Sequence, residues 1–191
     1  HVLAPADVGG LETVVKDLAP GHAHMGHSVE VAAVLAEKSC AFVEEARDSG
    51  LKVHVIIAPP RSVLPERREI LALLARRHVD VVHSHGYRSD ILDLGIARKA
   101  GVPTVTTFHG FSATDWKART YEWLQLRSAR RASAVVAVSS NIVTRALTSG
   151  IRPTTVHLIR NACSHAKPRS TAHGARSQLQ LREGFHIGWI G

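Results

Sequence analysis

Within Val79-Asp-Val-Val-His-Ser-His-Gly-Tyr-Arg-Ser-Asp90 and Gly101-Val-Pro-Thr-Val-Thr-Thr-Phe-His-Gly110 lie two buried-strand patterns rich in β-branched residues, 79–85 and 103–108, each running into a His-Gly pair. Apolar runs without polar alternation are the pattern of strands covered on both faces, and such strands belong to parallel sheets. In a parallel sheet the carboxyl ends of the strands face a common crevice, where open α/β folds bind ligands. The two runs therefore predict that His85 and His109 reach one rim, and that this rim is a small-molecule site.

Outward from these runs, the same alternation of apolar strand and helical pattern fills most of the 191 residues. Strands are expected at 1–3, 28–35, 52–58, 79–85, 103–108, 134–139 and 155–160. Leu11, Val14, Val15, Leu18 and His22 repeat at helical spacing, as do Ile70, Leu73 and Leu74 in a helix expected over 66–77. Further helices are expected near 39–49, 89–100, 114–131 and 140–149, the last stopped by Gly150. Pro20-Gly21 predicts a kink or an early stop of the first helix near Ala19, because proline lacks a backbone donor and crowds the preceding turn. Strand–helix alternation of this kind defines repeated right-handed βαβ units, hence a Rossmann-like parallel sheet with helices on both faces.

The ends read as those of a piece of something larger. The first strand has three residues before its turn, and the last run, Phe185-His-Ile-Gly-Trp-Ile-Gly191, is strand-like and stops where a βα turn would begin. Residues 162–184 lack an apolar period and read as a linker with a short polar helix.

Composition narrows the class. There are 24 Lys and Arg against 16 Asp and Glu, a formal charge of +8, and thirteen histidines. Acidic partners fit this balance, as does a merely solvated basic surface, and a nucleic-acid role would rest on charge alone. Cys40 and Cys163 lack the spacing of a zinc knuckle or a disulfide framework. No run of eighteen apolar residues and no signal-peptide pattern occurs, so a cytoplasmic location is expected.

Gly9-Gly10 sits where the first strand turns into the first helix. Glycine allows close backbone approach there, and the helix N-terminus attracts phosphate; a tight structural turn reads equally well. His83 reads as a packed histidine on the same strand face as His85. A metal reading of His22, His24 and His27 is set aside because their helical spacing is poor for a common ligand centre and they follow the Pro-Gly break, and one of His83, His85 and His109 for want of a carboxylate ligand other than Asp80 or Asp90. Trp116, Arg119, Trp123, Arg127 and Arg130 form one helical stripe. Either it suits an anionic membrane interface, or the tryptophans cover the sheet while the arginines reach outward.

The ordered set Gly9-Gly10-x-Glu12, Gly26-His-Ser-Val-Glu-Val31, Asp80-Val-Val-His-Ser-His-Gly86, Thr107-Phe-His-Gly110, Ala134-Val-Val-Ala-Val-Ser-Ser140 and His157-Leu-Ile-Arg-Asn161 resembles the amino-terminal domain of family 4 glycosyltransferases of the GT-B fold. Ile187-Gly-Trp-Ile-Gly191 resembles the first strand of that family's carboxyl-terminal domain. The resemblance implies three segments: an acceptor-side domain over 1–161, an interdomain linker over 162–184, and the first strand of a donor domain over 185–191. It implies a retaining hexosyl transfer from a nucleotide sugar to an acceptor, without an essential metal or other cofactor and without nucleic acid. The missing donor half of the same chain then leaves this polypeptide alone inactive or nearly so.

Residue by residue, the resemblance gives Gly9 and Gly10 to the donor diphosphate and His109 to the cleft beside the transferred sugar. His85, Gly86, Arg88 and Ser139 fall on the acceptor side, with Ser139 equally suited to capping the helix that follows. A peripheral contact with the anionic inner membrane face is a further expectation. Asn161 matches the start of the family's interdomain signature, but Ala162-Cys163-Ser164 departs from it. That departure keeps an alternative open: a noncatalytic glycosyltransferase-like module that binds carbohydrate, anionic lipid or protein.

Overall fold

The computed structural model describes residues 1–6, 9–59, 62–111, 115–162, 171–182 and 184. Seven strands, β1 (Val2–Leu3), β2 (Glu30–Leu35), β3 (Lys52–Ile57), β4 (Val82–His85), β5 (Thr104–Phe108), β6 (Ala134–Ala137) and β7 (Val156–Leu158), form one sheet in the order β3-β2-β1-β4-β5-β6-β7. Every pairing is parallel. All seven expected strands are present, each within its expected bounds. Between them run α1 (Gly10–His24), α2 (Ala41–Asp48), α3 (Val63–Arg77), α4 (Tyr87–Lys99), α5 (Trp116–Ala129) and α6 (Ser140–Thr148), and α7 (Ala172–Gln178) follows as a short polar helix.

The strand order reverses between β1 and β4. Right-handed crossovers then send the helices of the two halves to opposite faces. α1 and α2 bury Val15, Ala19, Phe42, Val43 and Ala46 against Leu3, Val31, Ala33 and Leu35. On the other face Ile70 and Leu74 of α3, with Ile96 and Ala97 of α4, cover Val2, Ala32, Val34 and Val82. Leu126 and Ala129 of α5 and Ile142 and Ala146 of α6 close the same face over Phe108, Val135 and Ala137. Among the described residues no helix covers the α1–α2 face over β4–β7. A groove of about 990 Å³ lies there, lined by His1, His22, His83, Thr107, Val136 and Val138 among others.

Two local expectations are corrected. α1 does not stop near Ala19 but runs through Pro20 to His24. Its last turns are held from outside the helix ladder: Val15 and Ala19 are fully buried, and His22 Nδ1 lies 3.3 Å from His1 Nε2. His24 Nδ1 lies 2.8 Å from the Pro20 carbonyl oxygen. α3 begins at Val63, ahead of the expected start at 66, with Pro65 in its first turn, where a missing N–H costs nothing. The run Phe185–Gly191, and with it the expected first strand of a further domain, lies outside the described residues.

Candidate functional site

β1 and β4 are neighbours, with Val2 opposite Ser84 and Leu3 opposite His85. The switch point of the sheet therefore lies between them, and the turns after β1, β4 and β5 share one end of it. Gly9 caps α1, and the first amides of that helix have no partner within it. Glu12 folds back over this turn, its Oε1 accepting from the Ala6 N–H at 2.7 Å, and it is buried despite its charge. A Cβ on Gly9 would stand 2.4 Å from Glu12 Oε2, so Gly9 is the residue that lets Glu12 close the turn. Gly86 caps α4 at φ +83, a conformation that favours glycine, and a Cβ there would meet Leu11 Cδ1 at 3.1 Å. The start of α4 is thus packed against α1 at Gly86.

His85 ends β4 fully buried, and His109 follows β5. His85 Nδ1 and His109 Nε2 are 3.1 Å apart, so the two histidines meet as their strand positions predict. The contact extends inward: His85 Nε2 is 3.0 Å from His1 Nδ1, and the His83 ring stacks on His85 with centroids 4.2 Å apart. Burial lowers the pKa of His83 to about 3 and holds His85 well below its ordinary value. Burial also lowers that of His109, while Glu12 pulls in the opposite direction. All three rings are neutral at pH 7. His109 Nδ1 is buried and has no hydrogen-bond partner among the described residues.

Arg88 and Ser139 have other partners. Arg88 Nε and Nη2 donate to Glu66 Oε2 at 3.1 and 2.5 Å, and Glu66 is fully buried. Its fork thus ties α4 to α3. Ser139 caps α6, its hydroxyl facing the Ile142 N–H at 3.4 Å. Asp90, weighed above as a metal ligand, lies on the opposite face of the sheet from His83 and His85. There its carboxylate accepts from Ser84, Thr106 and Gln125, at 2.5, 2.7 and 2.7 Å. Burial raises its pKa to about 6. Trp116 and Trp123 are exposed, and the sheet side of α5 is made by Gln125, Leu126 and Ala129 instead. The guanidinium of Arg127 stands 5.7 Å from the Trp123 ring centre.

Reasoning from the sequence missed His1, His22, Glu12 and Glu66 as members of these networks. For Glu12 the signal was its place three residues after the capping Gly9, the N3 position from which a carboxylate reaches back. For His1, 84 residues from His85, no local signal exists.

The profile of Glycosyltransferase Family 4 matches residues 8–167. Two curated proteins called D-inositol 3-phosphate glycosyltransferase, from Pseudarthrobacter chlorophenolicus and an Arthrobacter species, are each 31% identical over 116 residues. That match takes in 54% of this chain and 27% of theirs, so the chain spans about a quarter of those relatives. Among solved structures, Anabaena HepE in complex with UDP-glucose superposes with a TM-score of 0.76 at 19% identity, covering 96% of this chain and 50% of that one. A Rickettsia africae glycosyltransferase gives 0.67 at 17%, covering 95% and 49%. These likenesses establish the fold, a Rossmann-like half of the GT-B architecture.

Proposed function

The chain belongs to glycosyltransferase family 4, and from that premise we propose that it is the acceptor-side half of a retaining transferase that moves a hexose from a nucleotide sugar to an acceptor. The observation that carries the reading is the convergence of the Gly9 helix start, Gly86 and His109 at the switch point of the sheet. The amides opening α1 offer fixed positive dipoles to the diphosphate whose charge grows as the glycosidic bond to the donor breaks. His109, neutral and with no partner for Nδ1 among the described residues, holds or moves a proton at the acceptor hydroxyl. No metal is assigned to this step, and the 191-residue chain alone is inactive or nearly so. The protein works in the cytoplasm.

The test uses the full-length polypeptide with UDP-glucose and other nucleotide sugars, and with D-inositol 3-phosphate among the acceptors. Product with the donor's anomeric configuration is expected. Product of inverted configuration, or turnover unchanged in His109→Ala, sinks the corresponding part. Absence of turnover with retained carbohydrate binding would favour the noncatalytic module.

The exposed stripe of Trp116, Arg119, Trp123, Arg127 and Arg130 favours a second contact, with an anionic membrane surface. No helix among the described residues is long and apolar enough to cross a membrane, so such contact would be peripheral. Retention on anionic vesicles at low salt, lost in Trp116→Ala/Trp123→Ala, is expected; equal retention on neutral vesicles refutes it.

A further inference from the structure

We propose that His1, His83 and His85 form a binding site for a divalent transition-metal ion, of the class that takes imidazole ligands, at the junction of β1 and β4. One ring nitrogen from each of the three lies within 4.8 Å of the other two. Two nitrogens on a tetrahedral zinc ion stand about 3.3 Å apart, given metal–nitrogen bonds of about 2.0 to 2.1 Å. His1 Nδ1 and His85 Nε2 are already 3.0 Å apart in a hydrogen bond, so admitting the ion opens the pair by a few tenths of an ångström and turns both rings until their lone pairs converge on it. The third nitrogen moves by about 1.5 Å at most to join them.

The second nitrogen of each ring supplies an independent observation. Metal-bound imidazoles keep their orientation by donating the other ring N–H to a nearby acceptor. His83 Nε2 lies 2.7 Å from Thr107 Oγ1, His85 Nδ1 lies 3.1 Å from His109 Nε2, and His1 Nε2 lies 3.3 Å from His22 Nδ1. With Nδ1 of His83 taken as its ligand atom, each proposed ligand has its outer nitrogen held, and each of those outer partners can accept. The strand pairing fixes the rest: Val2 opposite Ser84 sets His1 across from His83 on the same face, where both line the groove. A fourth ligand, water or a small anion, enters from that groove.

The site does not depend on the proposed transfer reaction, but it reaches the cleft. An ion on His85 Nε2 requires the proton on Nδ1, which then donates to His109 Nε2 and leaves the proton of neutral His109 on Nδ1. The metal would set which hydrogen bond the cleft histidine offers its substrate.

The test is titration of the 191-residue chain with Zn2+ and, for its visible absorption, Co2+, followed by calorimetry and thermal unfolding. One ion per chain, a tetrahedral Co2+ spectrum and a raised unfolding temperature are expected. His1→Gln and His83→Gln should each weaken binding more than tenfold, and Thr107→Val, which removes only an outer partner, about tenfold. His24→Gln/His27→Gln, outside the site, should bind as the parent does. Circular dichroism separates lost binding from lost folding, and His1→Gln, at a half-buried strand end, supplies the reading if His83→Gln does not fold. No stoichiometric binding at micromolar Zn2+, or binding that survives His1→Gln and disappears in His24→Gln/His27→Gln, overturns the site.

Discussion

Strand β4 separates two buried clusters of titratable groups. His83 and His85 point to the face that also carries His1 and the groove. Ser84, between them, points to the opposite face, where Asp90 lies with Glu66, Arg88 and Asp93 packed nearby. Burial acts on both clusters against charge, so it lowers the histidine pKa values and raises those of Asp90 and Asp93. The consequences differ because neutral imidazole is the ordinary form near pH 7, whereas a neutral carboxyl is not. The histidines can remain partnered mainly by one another. The carboxylates need donors, and Asp90 has recruited them from β4, β5 and α5, while Glu66 has taken Arg88. Asp93 has the Ser89 hydroxyl close by but no hydrogen bond of good geometry, and its pKa stands well above the usual range. The carboxylate side is taken up by hydrogen bonds and ion pairs between elements; the histidine side keeps a ring nitrogen, His109 Nδ1, that no described residue engages.

The strongest way to break this contrast is Arg88→Ala. It strands a fully buried Glu66, and a loss of about 3–5 kcal/mol in urea unfolding is expected. Replacing both partners by methionine should restore most of it, because apolar residues of similar volume leave no buried charge unpaired. If Arg88→Ala kept full stability and instead weakened acceptor binding in the full-length enzyme, the division between the faces would be wrong.

On the other face, His109→Ala should lower kcat of the full-length protein by about a hundredfold while leaving unfolding nearly unchanged. A comparable loss of stability would place His109 among the structural groups.

Acid pH should pull the two clusters apart. His83 has a folded pKa below its unfolded value, so the unfolded chain binds more protons and stability falls as pH drops below about 6.5. Between pH 7 and 5 that loss is about 2 kcal/mol. Asp90 has a folded pKa above its unfolded value, so the native state binds the proton first, and the same change returns about 1 kcal/mol. Asp90→Asn, with Gln125 turning its amide, should therefore steepen the acid loss and His83→Gln should flatten it, both read from urea midpoints across pH. Parallel curves for the two variants would remove the basis of the contrast.

The smallest expected effect is that of Ser84→Ala, about 1 kcal/mol, since Thr106 and Gln125 still donate to Asp90. Its histidine face should be untouched, as NMR of the His83 and His85 ring protons would show.

Much of this arrangement is legible in the chain. Val53-His-Val-Ile-Ile and Ala134-Val-Val-Ala reveal strands because they are short β-branched runs bounded by turn residues, although β3 is an edge strand with Ile57 exposed and β6 meets the groove on one face. The His-Gly ends of β4 and β5 place His85 and His109 at one rim because parallel strands share a direction. Arg88 was not legible: a guanidinium at a helix start looks the same whether it faces a ligand or a buried carboxylate 22 residues away on α3. The tryptophans of α5 were not legible either, since a helical stripe of Trp and Arg is compatible with facing the sheet or facing solvent. Pro20 misled because local propensity counts a lost hydrogen bond and cannot count the burial of Val15 and Ala19 that holds the helix in place.

By itself, then, the sequence determined the order of strands and helices along the chain, the parallel sheet and the end of it at which His85 and His109 meet, all of which follow from apolar periodicity and the handedness of L-residues. Only the tertiary structure decided which polar side chains meet. His1 joins His83 and His85 because β1 pairs with β4 across a gap of some eighty residues, and hydrogen bonds over such distances depend on orientations that no local pattern specifies.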